Sequence, residues 1–248
     1  MNIIFDDISK NNKWNNEESV SGDGSSIKVN KYRVKFLDNF IKKNGITDVY
    51  DICGDCNWQH TIPSLSKINY FGFDISNNSL ELAKKKNKNR KYMKFSKNPI
   101  DLTNYVFKNV KNPNKTLIII KEVIQHLNLK NGMKLLNNIK NSKIKYIAIT
   151  NHDKELFNVK QNINIKNGDF YPNNLFMDPF NFKNPISDIS NNLSVDKQKK
   201  YGNLMIFNIQ GQDFKKQIEH FMNIKTKNNK QLIIIVLIIL IIIIYIKF

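Results

Sequence analysis

Between Asp51 and Trp58 the sequence reads DICGDCNW, which places both cysteines of the chain, Cys53 and Cys56, at C-x-x-C spacing. That spacing suits a redox dithiol or half of a four-ligand zinc site. Zinc needs two further ligands, and none of His60, His126, His152 and His220 forms a partner motif with the pair. No metal site is therefore expected, and a dithiol after a strand stays as the alternative use. The same stretch has an acid, Asp51, ahead of one glycine, Gly54, and a second acid, Asp74, twenty positions further on. An acid about 20 residues beyond a glycine turn is the usual partner of ribose hydroxyls. The competing role for Asp74 is to cap the next helix, which Ser76 can do instead.

The elements that must position these groups follow from hydrophobic periodicity. Apolar runs at 47–53, 70–76, 91–95, 115–123, 143–150 and 201–209 read as strands. Helical spacing places Tyr32, Phe36, Leu37, Phe40 and Ile41 on one face, with Gly45 as the stop. Further helical patterns cover 77–89, 101–109 and 131–142. Strands alternating with helix-length connections predict an α/β fold with a mostly parallel sheet. Such sheets bind ligands at the carboxyl ends of their strands, where strand order reverses. That rule selects Asp51 to Asn57, Asp74, Asp101, and the group Lys121, Glu122 and Val123.

The 248 residues suffice for one α/β domain. The formal charge of +18 comes from 39 Lys and Arg against 21 Asp and Glu. It is nearly all lysine, spread along the chain among many Asn and Ile, and does not form the clustered Arg surface that phosphate recognition favours, so specific nucleic-acid binding is not expected. The longest basic run, KKKNKNRK at 84–91, reads as the exposed end of a helix. Sparse cysteine fits a reducing compartment, and MNIIFDDISK has no signal-peptide pattern.

Taken together, SGDGSSIKVNKYRVKFLDNFIKKNGITDVYDICGDCNW, YFGFDIS, DLTNYVF and LIIIKEVIQHL resemble a class I S-adenosylmethionine-dependent methyltransferase of the small microbial or viral type. The likeness runs from Ser21 to Thr150, with a weaker echo in GDFYPNNLFMDPFNFKNPI and YGNLMIFNI. It implies a Rossmann-like fold with helices on both faces of the sheet, S-adenosylmethionine as cofactor, and methyl transfer to an acceptor that the sequence does not identify: a small molecule, a lipid or a protein side chain. It also implies that Asp51 and Gly54 approach the methionine part, Asp74 grips the ribose, and Asp101 reads the adenine amino group with Leu102 against the ring. Lys121 to Val123 line the cleft, and Gln125, His126 and Leu127 match a recurring QHL. Arg33 or Tyr32 comes near the cofactor. Glu122 and His126 are the catalytic candidates, with a structural role for His126 the plainer reading. The family pattern there is close to acid-Leu-Gly-Cys-Gly-Asp-Gly-Asn-Trp, so this turn is one residue shorter and puts Cys56 where the last glycine belongs. Loss of Cβ-free positions narrows such a turn, and a non-catalytic binding or scaffold module is the alternative function.

Along the chain this gives a polar, mobile arm at 1–26, the methyltransferase-like domain at 27–215, a basic linker at 216–231 and an apolar run at 232–246. That run is about 22 Å long as a helix, against the roughly 20 residues a bilayer crossing uses. Lys225, Lys227, Lys230 and Lys247 can snorkel to headgroups. The expectation is a single-pass C-terminal membrane anchor with the domain facing the cytoplasm. Between late strands, the aromatic series Phe170, Tyr171, Phe176, Phe180 and Phe182 is expected either to clasp an acceptor or to pack over the sheet end.

Overall fold

In the computed structural model, residues 2–96, 110–190 and 194–213 are described. Seven strands form one sheet: β1 (Asp48–Ile52), β2 (Asn69–Phe73), β3 (Met93–Ser96), β4 (Thr116–Ile120), β5 (Tyr146–Asn151), β6 (Ser187–Asp188) and β7 (Asn203–Asn208). Their spatial order is β3-β2-β1-β4-β5-β7-β6. The first five are parallel to their neighbours, and β7 enters antiparallel beside β5, pairing Tyr146 with Asn208 and Asn151 with Asn203. Successive strands step outward from β1 to β3, and the chain then returns to β4 on the other side of β1. The order therefore reverses between β1 and β4, and their carboxyl ends flank the crevice.

Every residue of β4 (TLIII) and of β5 (YIAITN) is buried. A strand buried on both faces needs cover on both. On one side Leu117 and Ile119 join Leu37, Phe40 and Ile41 of helix α2 (Ile27–Lys43) in a single apolar cluster. Ile118 and Ile120 alternate to the opposite side and are equally buried. Helix α3 (Asn77–Lys86) starts at Ser76, whose Oγ accepts from Ser79 N. Helix α4 (Leu129–Asn141) starts at Asn128, whose side chain accepts from Asn131 N. Both are helix starts satisfied by a side-chain oxygen.

Three features differ from the sequence reading. The expected mobile arm carries structure from its second residue on: Asn2–Lys10 form helix α1, which lies against α3. Asp6 accepts from Ser76 Oγ at 2.8 Å and from Asn78 N at 3.2 Å, and Ser9 meets Ser79 Oγ at 2.9 Å. Polar pairing of this kind holds a segment whose composition reads as solvated. A short helix α5 (Val195–Tyr201) precedes β7, and β6 is only two residues long. The basic run is also not simply solvated, because Lys86 turns back onto Asp55 at 2.6 Å. The helix expected at 101–109, with Asp101 and Leu102, and the linker and apolar run beyond 213 lie outside the described residues. Among the described residues no helix is long and apolar enough to cross a membrane.

Candidate active site

The turn after β1 closes tightly despite its missing residue. Cys56 N donates to Cys53 O at 2.9 Å, and both Gly54 (φ 55°) and Cys56 (φ 50°) sit in the left-handed region. Gly54 N donates to Asp74 Oδ2 at 3.0 Å, and Ser76 N donates to Asp74 Oδ1 at 2.7 Å. Ser76, not Asp74, caps α3, so Asp74 is left to tie the β1 turn to the end of β2. Ile75 N also favours its carboxylate, which leaves Asp74 room to accept from one further donor. Desolvation by burial pushes its pKa up to about 6.

The other acid of the turn points away from the crevice. Asp55 accepts from Ser19 Oγ at 2.7 Å, Ser21 Oγ at 3.2 Å and Lys86, which draws the segment before α2 over the turn. A Cβ on Gly54 would stand 2.2 Å from Ser21 Oγ. Gly54→Ala is therefore expected to cost about 1–2 kcal/mol for the left-handed backbone alone and to loosen residues 19–25. Urea unfolding and amide exchange in that segment would check it, and unchanged protection there would contradict it.

Asp51, at the carboxyl end of β1, is 1% exposed and accepts from Tyr70 Oη at 2.9 Å. Burial pushes its pKa up to about 7, against the opposing pull of Tyr70, Gln59 and Lys121. Lys121, at the end of β4, donates to Gly24 O at 2.8 Å and to Glu122 Oε2 at 2.8 Å, with its Nζ 5.9 Å from the centre of the Trp58 ring. Burial pulls its pKa down. Glu122 is held at φ 54°, an unusual conformation for a residue with a Cβ. Burial works against its ionisation, but Lys121 and Arg33 together keep its carboxyl below the ordinary range. A Cβ on Gly24 would lie 2.0 Å from that carboxylate, so only glycine allows this approach.

His126 is half-buried, and desolvation lowers its pKa. Its Nδ1 stands 3.0 Å from Asp169 O. A carbonyl only accepts, so Nδ1 carries the proton and Nε2 offers a lone pair. His152 is neutral for a related reason: burial pushes its pKa down to about 4, and Asn173 N donates to its Nδ1 at 3.2 Å.

These groups meet in one cleft. Asp51, Gly54, Asp74, Lys121, Glu122 and His126 all line it, and Ile75, Trp58 and Leu127 supply apolar wall. Arg33 does not line it. Its guanidinium is spent on the carbonyls of Gly202 at 3.0 Å and Tyr201 at 3.4 Å, which pins α2 to the start of β7, and Tyr32 is exposed. The sequence expectation of a cofactor contact from Arg33 is corrected accordingly: it acts on the site only through the field it exerts on Glu122 and Lys121. The aromatic loop divides. Phe180 and Phe182 are core residues, Phe182 packing 4.8 Å from Phe207, whereas Phe170 is exposed and lies 5.7 Å from the His126 ring. Sequence reasoning missed the contribution of the N-terminal segment, where Phe5, Ile8, Trp14 and Ser21 also line the cleft. The spacing of Ile4, Phe5 and Ile8 at i, i+1, i+4 was the available signal.

No family model matches the chain, and no curated protein matches its sequence. Solved structures do. The magnesium protoporphyrin IX methyltransferase of Synechocystis PCC 6803 with bound SAM superposes with a TM-score of 0.53 at 14% identity, covering 83% of this chain and 95% of that one. A protein of Pyrococcus horikoshii OT3 superposes with a TM-score of 0.51 at 14% identity, covering 72% and 90%. In the match to the Synechocystis enzyme with bound SAH the chain spans 58% of that protein's length, and in a match to an echinomycin biosynthesis protein 52%. The fold is thus the Rossmann-like fold of class I methyltransferases.

Proposed function

We propose that this protein transfers a methyl group from S-adenosylmethionine to an acceptor nucleophile. The observation that supports this most is the convergence of Asp51, the Gly54 turn and Asp74 on one crevice at the strand-order reversal, with the buried cation of Lys121 opposite. The donor set fits the cofactor. Asp51 suits an ammonium, Lys121 a carboxylate, and the remaining acceptor site of Asp74 a ribose hydroxyl. When bound, the sulfonium supplies an electrophilic methyl group, and the protein's share of the work is positioning and electrostatics. Asp51 and Lys121 fix one end of the ligand and Asp74 the middle. Trp58, Ile75 and Leu127 keep water from the crevice wall. His126 Nε2 is the group able to take a proton from an acceptor, which matters only where the acceptor carries one that must leave.

A tethered enzyme is part of the same reading: the uncharged run at 232–246 supports a membrane anchor, and the full-length chain should stay in the pellet on alkaline carbonate extraction. Recovery in the supernatant would remove the tether from the proposal. The acceptor is a small molecule, a lipid or a protein side chain.

Cys56 in a glycine position favours the second reading, a methyltransferase-like module without catalysis. Calorimetric titration of the full-length chain in detergent with S-adenosylhomocysteine separates the two. Saturable micromolar binding that Asp74→Ala reduces about tenfold or more supports the enzyme, since the substitution removes a charge-assisted hydrogen bond to the ribose. No heat at millimolar ligand supports the module.

A further inference from the structure

Cys56 is more than an obstruction in the turn. It is fully buried, and its Sγ lies 3.3 Å from Tyr70 Oη, which is 2.9 Å from Asp51 Oδ2. When Asp51 is ionised, the state that would bind a cationic amino group, its carboxylate has no proton to give, and the single O–H of Tyr70 is directed to it. The contact with Cys56 then has the thiol donating to the phenolic oxygen. The result is a one-way chain of hydrogen bonds from the turn, through β2, to the end of β1, among three side chains no more than 1% exposed. Phenylalanine and glycine would offer no polar group here; the polar pair instead delivers a hydrogen bond to a carboxylate that burial disfavours charging.

We propose that Tyr70, backed by Cys56, is the positioning residue that keeps the Asp51 carboxylate charged and aimed at the cleft for the cationic amino group of the cofactor. This rests on the reading of the cleft given under Proposed function. The other groups facing Asp51 are Lys121 at the end of β4 and Gln59 in the turn after Trp58, which favour its charge, and Asp74 beyond β2, which opposes it. Cys53 adjoins it in the turn, and Glu122 and Arg33 act on the neighbouring Lys121. Gln59 supplies a second, weaker side-chain hydrogen bond, so Tyr70→Phe removes the larger of two and leaves the other in place.

A damaged glycine and a hydrogen-bond relay give opposite signs for the same substitution. Cys56→Gly frees the left-handed backbone and restores a glycine, so a merely damaged turn should bind better. The relay loses its thiol and should bind worse. The test uses full-length wild type, Tyr70→Phe, Cys56→Gly and Cys56→Ser. Two readouts are taken: the carbon-13 NMR titration midpoint of the Asp51 carboxyl without ligand, and calorimetric affinity for S-adenosylhomocysteine from pH 6 to 8.5. Tyr70→Phe is expected to raise the midpoint and to weaken binding at pH 7 about tenfold or more, with part of the loss recovered at pH 8.5. Cys56→Gly should move both in the same direction by less, and Cys56→Ser should stay near wild type. An unmoved midpoint in Tyr70→Phe, or tighter binding by Cys56→Gly, overturns the relay. The Cys56 pair decides the question alone if Tyr70→Phe does not fold. Midpoints that move as expected in a wild-type chain that binds no ligand would sink the proposed function and spare the relay; binding with unmoved midpoints would do the reverse.

Discussion

Asp51→Asn is expected to make the ligand-free protein more stable at pH 8 while removing its affinity for S-adenosylhomocysteine. The carboxyl titrates at about 7 in the fold against an ordinary 3.8. Its folded pKa is raised, so the folded state binds the proton more tightly than the unfolded chain. Its contribution to stability is fully present below about pH 4 and is lost as pH rises through 7. Above that, the ionised, buried carboxylate costs on the order of 4 kcal/mol. Asparagine has the same shape, keeps an oxygen for Tyr70 Oη and carries no charge, so the cost disappears. Urea unfolding of the two proteins should coincide near pH 4 and separate by a few kcal/mol at pH 8, the variant being the more stable. His152 titrates in both and cancels, whereas Asp74, which opposes the Asp51 charge, ionises more easily in the variant and adds to the gain at pH 8. A variant less stable than wild type at pH 8 would mean that Lys121 already offsets the burial of Asp51. Retained ligand affinity in the variant would mean that the carboxylate does not meet the amino group.

This instability is the kind that functional sites retain, and it explains what the sequence could and could not reveal. The strands around Asp51 and Asp74 were legible because DVYDI, NYFGF and TLIII are apolar runs cut by turn residues, and the topological rule then put their carboxyl ends together. Gly54 to Asp74 spacing was legible for the same reason. Arg33 was misread because a buried arginine and a ligand-binding one look alike along the chain, and only the carbonyls of Tyr201 and Gly202, more than 160 positions away, distinguish them. Helix α1 was hidden by its polar residues, whose partners Ser76, Asn78 and Ser79 lie some 70 positions on. The Tyr70 contact was out of reach for a different reason. Which strand face a tyrosine presents is periodic, but which carboxylate it meets depends on the register that pairs Asp51 with Gly72.

Glu122→Gln should be the most destabilising conservative change in the cleft. Glu122 is the anion between two cations, Lys121 at 5% side-chain exposure and Arg33 at 2%. Breaking a buried ion pair by removing one partner costs about 3–5 kcal/mol, because the remaining charge is stranded. Here the change strands two like charges that already repel each other. Lys121→Met removes a cation instead and leaves Arg33 to neutralise Glu122, so its cost should be clearly smaller. The backbone separates this from a simple loss of packing: glutamine keeps the volume and the φ of 54°, so any strain is common to both proteins. Urea unfolding at pH 7 should rank the variants as wild type, Lys121→Met and Glu122→Gln in order of falling stability. The double variant Lys121→Met/Glu122→Gln should recover part of the loss, because it leaves one buried cation rather than two. Equal costs for the two single variants would show that Arg33 is too far from Glu122 to share its charge, and the cleft would then hold an isolated pair.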